Sequence, residues 1–184
     1  MRKNKKIAVV TGGAGFIGSH MVDFLLKKNF IVNVIDDLSG GRFQNIKKNS
    51  KNKYFNFEKI DISKLESNHK FFWKCDYIFH FAGKGDIVPS IENPINYMNT
   101  NVMGTIKVLE AARKAKVKKF VYAASSSCYG LAKTPTSEIH KIDPLYPYAM
   151  SKHQGENLCF HWSKLYKMPV NSIRIFNAYG PRVR

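Results

Sequence analysis

Short runs of apolar, β-branched and aromatic residues recur at 7–10, 31–35, 54–57, 77–81, 120–124 and 170–176, each bounded by polar or turn-forming residues. Between them the apolar positions change to helical spacing. The first run, Ile7-Ala8-Val9-Val10, gives way to Thr11-Gly12-Gly13 and then to Phe16, Ile17, Met21, Phe24 and Leu25, with Lys27 and Lys28 behind them, which reads as strand, turn and helix. The clearest helical patterns cover 94–115 and 148–166. Several strands are apolar on both faces, so the alternation predicts an α/β fold: a doubly wound parallel sheet with right-handed crossovers and helices on both faces. The polar stretch 40–53 predicts a mobile loop or short helix, and 133–147, with Pro135, Pro144 and Pro147, predicts a second loop. Neither has the make-up of a linker, and residues 1–184 read as one domain.

Composition narrows the function classes without choosing one. With 44% hydrophobic residues in a chain of 184 there is enough apolar surface for a sizeable core, which argues against disorder. The 30 Lys and Arg against 13 Asp and Glu give a formal charge of +17, suited to nucleic acid, an anionic membrane surface or a phosphorylated small ligand. These basic residues lie in small scattered clusters, with no patterned basic helix or aromatic-basic repeat, so a solvated surface is expected and a nucleic-acid partner is not. No apolar run approaches the ~18 residues of a membrane span, and the first breaks too early for a secretory signal. Cys75, Cys128 and Cys159 have no CxxC spacing, which argues against a disulfide framework and a structural metal site and for a reducing, cytoplasmic compartment.

The stretch Thr11-Gly12-Gly13-Ala14-Gly15-Phe16-Ile17-Gly18 follows a strand and opens a helix. In that setting Gly12 and Gly15 let the backbone turn and approach a pyrophosphate without a Cβ in the way. The N–H groups at the helix start, around Phe16 and Ile17, meet its charge, and Gly18 lets the helix lie close on the sheet. The pattern predicts a dinucleotide site. Asp36, ending the second strand, is placed to accept the adenosine ribose hydroxyls and to repel a 2′-phosphate, so NAD is expected over NADP, with Arg42 as the residue able to offset that repulsion. Asp37 reads as a turn residue. Asp61, followed by Ile62, either reaches the adenine or caps a loop or helix.

Tyr148 and Lys152 stand four residues apart at a helix start, so a phenol and an ammonium share one face. A neighbouring cation favours the phenolate and is expected to bring Tyr148 toward a working acidity, while Lys152 also holds the nicotinamide ribose. At the carboxyl end of the fifth strand, Ser125-Ser126-Ser127 offers a hydroxyl for a substrate oxygen. His20, His80 and His153 have no partner spacing and read as packed or surface residues.

Together these residues, with His80-Phe81-Ala82-Gly83, Asn101-Val102-Met103-Gly104-Thr105, Tyr129-Gly130 and Arg174-Ile175-Phe176-Asn177-Ala178-Tyr179-Gly180-Pro181-Arg182, resemble the extended short-chain dehydrogenase/reductase family, specifically its nucleotide-sugar epimerases and dehydratases. The resemblance implies a Rossmann fold and bound NAD. It implies that the active hydroxyl, four residues before Tyr129, is Ser125, that Tyr148 is the acid/base and that Lys152 is its partner. It further implies that Phe81, Ala82, Gly83 and Lys84 line the cofactor, that Thr100 and Phe176 flank the nicotinamide end, that Ser126 and Asn177 meet substrate, and that Asn101 braces backbone. Dehydratases of the family commonly place an Asp-Glu pair directly after the active hydroxyl; Ser126 and Ser127 stand there, which shifts the expectation to epimerisation, closest to a UDP-sugar 4-epimerase. A UDP-glucuronate decarboxylase and a non-catalytic NAD-binding module are the alternatives. Family members continue past Tyr-Gly-Pro-Arg into a smaller substrate domain, which the resemblance implies is largely absent from residues 1–184, and relatives pair as homodimers through the helices at 94–115 and 148–166.

Overall fold

The computed structural model describes residues 5–183. Six strands, β1 (Ile7–Thr11), β2 (Ile31–Asp36), β3 (Phe55–Lys59), β4 (Tyr77–His80), β5 (Lys119–Ser125) and β6 (Val170–Ile175), form one sheet in the order β3-β2-β1-β4-β5-β6. Every pairing is parallel. The order reverses between β1 and β4, and the crevice at the carboxyl ends there is where an open α/β sheet accepts a ligand.

Burial follows the two-residue period of the strands. Ala8 and Val10 of β1 join Val32 and Val34 of β2 on one face, under Val22 and Leu25 of α1 (Phe16–Lys27). Val9, Ile35, Ile78, Phe120 and Tyr122 point to the other face, against Val108, Leu109 and Ala112 of α4 (Gly104–Ala115) and Cys159 of α5 (Pro147–Tyr166). Each such fully buried large side chain stabilises the fold by about 1.5–3 kcal/mol, which fixes the sheet that carries the loops of the crevice.

The helix expected over 94–115 keeps those bounds as one continuous helical run that carries a single π turn. Two short helices, α2 (Val88–Glu92) and α3 (Pro94–Met98), lead into a π-helical turn, Asn99–Met103, and only then into α4. Single π turns inside helices tend to sit at functional sites because they redirect side chains. The stretch 40–53 holds two 3₁₀ turns, Phe43–Asn45 and Lys47–Asn49, and is tied to the glycine turn where the Asn45 amide and the Arg42 N–H both donate to the Ala14 carbonyl, at 2.8 and 3.0 Å. The three cysteines are buried and unbridged. Among the described residues no helix is long and apolar enough to cross a membrane.

Candidate active site

The glycine turn is built as its spacing predicts. Gly12 has φ +68°, and a Cβ there would lie 2.5 Å from the Ala82 nitrogen, so the loop after β4 rests directly on it. A Cβ on Gly18 would run into the Gly12 carbonyl. A Cβ on Gly15 would meet only the Gly12 oxygen, at 3.2 Å, a tight contact that a shift of a few tenths of an ångström relieves, so the protein constrains that position less than the other two. Gly12 and Gly18 therefore serve the fold, and Gly15 keeps open the approach to the helix. No side chain caps α1 and its first turn carries no acid, so its positive end is left for an anion such as a pyrophosphate. The turn fits NAD on these grounds.

Asp36 is buried, and its two oxygens accept backbone N–H groups from Ala14 (2.9 Å) and Leu38 (2.8 Å). Burial raises its carboxyl above the ordinary range, and those N–H donors pull it back. The Gly15 N–H acts on the carboxylate as well, and the pair of oxygens still keeps lone-pair capacity for a ribose hydroxyl. Asp37 accepts from the Ser39 N–H and hydroxyl, as a turn residue should. Asp61 does the same for Ser63 and caps the 3₁₀ turn Ile62–Lys64. The Ile62 side chain belongs to the core under Gly104, so only its backbone is left to meet a ligand.

At the end of β5, Ser125 Oγ accepts the Ser127 N–H at 3.1 Å, which leaves its proton to donate, and it lies near enough to the Tyr148 phenol to act on that group's acidity. Lys152, one turn along α5, is buried with its ammonium 4.6 Å from the centre of the Tyr122 ring and close to Gly83. Ser125, Tyr148 and Lys152 thus come together beside the loop after β4. The expected acidification of Tyr148 is not what the chain alone provides. Burial raises the phenol, with only Ser125 acting against it, and the low dielectric also pushes Lys152 down to about 8. Desolvation is the largest influence on the phenol, and the nearby Tyr146 and Asp86 push it the same way.

Asn101 braces backbone as expected. Its Oδ1 accepts the Lys84 N–H (2.7 Å), and its Nδ2 donates to the Lys84 carbonyl (3.0 Å) and to Ser151 Oγ (2.9 Å), joining the strip Phe81, Ala82, Gly83 and Lys84 to α5. Thr100 is half-buried in the π turn and Ser126 half-buried after β5. Phe176 is exposed, stacked on Tyr129, and Asn177 beside it is exposed as well. Sequence reasoning missed Tyr122, which underlies Lys152, and Glu156, which is buried and holds Arg174 through a two-pronged ion pair at 2.9–3.1 Å. The spacing from Lys152 to Glu156, four residues along one helix face, is the signal that was available.

The NAD dependent epimerase/dehydratase family profile matches residues 8–184. The chain belongs to that family. A UDP-glucose 4-epimerase of Mycolicibacterium smegmatis is 38% identical over 95% of the chain and 56% of its own length. A UDP-N-acetyl-alpha-D-glucosaminuronate decarboxylase of Bacillus cytotoxicus is 36% identical over 98% of the chain and 57% of its own. Among solved structures, a UDP-glucuronic acid 4-epimerase from Bacillus cereus, in complex with UDP-glucuronic acid and NAD, superposes with a TM-score of 0.90 at 34% identity, covering 96% of the chain and 58% of that structure. The chain therefore spans somewhat over half the length of the relatives it matches, and the six-stranded sheet with flanking helices is the Rossmann fold expected. The family's coenzyme is NAD.

Proposed function

We propose that the chain is the coenzyme-binding part of a nucleotide-sugar 4-epimerase, with a UDP-hexose as substrate. The observation that carries this is the gathering of Ser125, Tyr148 and Lys152 beside the loop after β4 that rests on the glycine turn, with serines rather than carboxylates at 126 and 127. NAD, when bound, supplies a reversible hydride acceptor. In this reading Asp36 holds the adenosine ribose, Asp61 and the Ile62 backbone face the adenine, and Gly12, Gly15, Phe16, Ile17 and Gly18 frame the pyrophosphate. Phe81, Ala82, Gly83 and Lys84 line the coenzyme, Thr100 and Phe176 flank its nicotinamide end, and Ser126 and Asn177 meet substrate. Tyr148 takes the proton of the sugar 4-hydroxyl, steadied by Ser125, and the buried Lys152 ammonium favours the phenolate during that transfer. The 4-keto sugar is not covalently held, so it can turn and recover hydrogen on its other face while Tyr148 returns the proton to O4. No net oxidation results.

Exposed Ile95, Met103, Phe160 and Leu165 support pairing of two copies through α3, the π turn and α5, in a cytoplasmic homodimer. The likeness to a decarboxylase favours a second reading, in which the same 4-keto step precedes loss of CO₂ from a UDP-uronic acid. The test is the parent protein that carries this chain, given UDP-hexoses deuterated at C4. Inversion with the label retained at C4 and NAD still bound is expected; no inversion with any UDP-hexose, together with stoichiometric release of NADH, overturns the proposal. CO₂ release from a UDP-uronic acid selects the second reading. Tyr148→Phe is expected to slow turnover about a thousandfold and to leave NAD affinity unchanged, whereas a non-catalytic module would show no chemistry to lose.

A further inference from the structure

His80 closes β4, directly opposite Thr11 at the end of β1, and its ring is fully buried between Phe120, Tyr122 and two threonines. Its Nδ1 lies 2.6 Å from Thr11 Oγ1 and its Nε2 3.0 Å from Thr105 Oγ1. The direction of every bond follows from the ends. The Asn101 carbonyl can only accept, and Thr105 Oγ1 donates to it at 2.6 Å, so the single hydroxyl proton of Thr105 is spent. Thr105 must then accept from His80, which places the ring proton on Nε2. A neutral ring so protonated has a bare Nδ1, so Thr11 donates to it, and the remaining lone pairs of Thr11 face the Ala82 N–H at 3.4 Å. Burial and the Lys152 charge both keep the ring neutral, its pKa pushed down to about 3.

We propose that His80 is a positioning residue of the coenzyme site: as a fixed Nε2–H tautomer it locks the glycine turn, the strip 81–84 and the π turn into one register. Thr11 directly precedes Gly12, whose turn rests on Ala82, and Asn101, at the far end of the relay, holds Lys84 through its side chain. Three segments that form the floor of the cleft are thereby joined by one ring. A hydrophobic residue of the same size would fill the space and leave Thr11 and Thr105 each without its bond to the ring. The inference rests on the coenzyme reading above for what the cleft binds.

The 184-residue chain labelled with ¹⁵N-histidine reads the tautomer directly by long-range ¹H–¹⁵N NMR, with the His80→Asn spectrum identifying the resonance. A single ring protonated at Nε2 is expected; protonation at Nδ1, or an averaged pair of tautomers, overturns the proposal. Two variants then divide the relay. His80→Asn keeps an acceptor where Nδ1 stood, and His80→Gln keeps a donor near Nε2 but offers Thr11 no acceptor. NAD affinity by calorimetry, corrected for the folded fraction from urea titration, is expected to fall about tenfold in His80→Gln and at most about threefold in His80→Asn, the scale of one buried hydrogen bond. Variants that bind as tightly as wild type, or that lose affinity only in step with unfolding, overturn the proposal while the coenzyme reading stands. A wild-type chain that binds no NAD defeats both, and the two failures are told apart by that control.

Discussion

Lys152→Met removes an ammonium that burial holds at about 8 instead of its ordinary 10.5. At about 1.4 kcal/mol per tenfold change in acidity, keeping that charge in the folded chain at neutral pH costs about 3 kcal/mol. The stacking of the ammonium over Tyr122 at 4.6 Å recovers about 1 kcal/mol. Methionine fills the same channel without a charge, so the variant should be more stable than wild type by about 2 kcal/mol at pH 7. The pH dependence carries the sharper signature. The folded pKa lies below the unfolded one, so the unfolded chain binds the extra proton; the penalty is full below pH 8, shrinks between pH 8 and 10.5, and is gone above. Urea titrations of both proteins in steps across pH 7 to 10.5 measure it. A variant less stable than wild type at pH 7, or an advantage that does not shrink with rising pH, would refute the reasoning. A site residue that lowers stability is the expected trade where chemistry needs a buried charge.

Gly18→Ala places a methyl group against the Gly12 carbonyl, whose carbon would be 2.8 Å away, and neither backbone can yield; a loss of about 3 kcal/mol in urea is expected. Gly15→Ala, in contrast, sets its Cβ 3.2 Å from the Gly12 oxygen, so it should lower the urea midpoint less than Gly18→Ala does, and it should weaken NAD binding in calorimetry because the methyl group stands in the approach to α1. Glu156→Gln strips Arg174 of its counter-charge and should cost about 3 kcal/mol, while Glu156→Leu combined with Arg174→Met should recover much of that loss, both read by thermal unfolding.

The strands were legible because β-branched runs such as Ile31-Val32-Asn33-Val34-Ile35 leave little else for the backbone to do, and their ends moved by only one or two residues. The glycine turn was legible because its constraints are local: Gly12 and Gly18 meet each other six residues apart. What stayed hidden depends on partners far along the chain. Nothing in residues 99–103 departs from a helical pattern, and the π turn takes its meaning from Asn101 reaching Lys84 and Ser151. His80 shows no partner spacing because its partners are 69 and 25 residues away. The spacing of Tyr148 and Lys152 displays a neighbouring charge, but the amount of water left around a phenol is a tertiary quantity that no spacing reports. The tail is similar: Arg182 reaches back to Asp23 and Ser19 on α1, at 2.6 and 3.0 Å.

A crystal of this chain grown with NAD tests the central claim most directly. The account predicts coenzyme along the carboxyl ends of β1, β2 and β4, with the pyrophosphate over Gly15, the adenosine ribose on Asp36, and the nicotinamide between Tyr148 and Lys152. An empty glycine turn at saturating NAD, or a nicotinamide remote from both side chains, would contradict it.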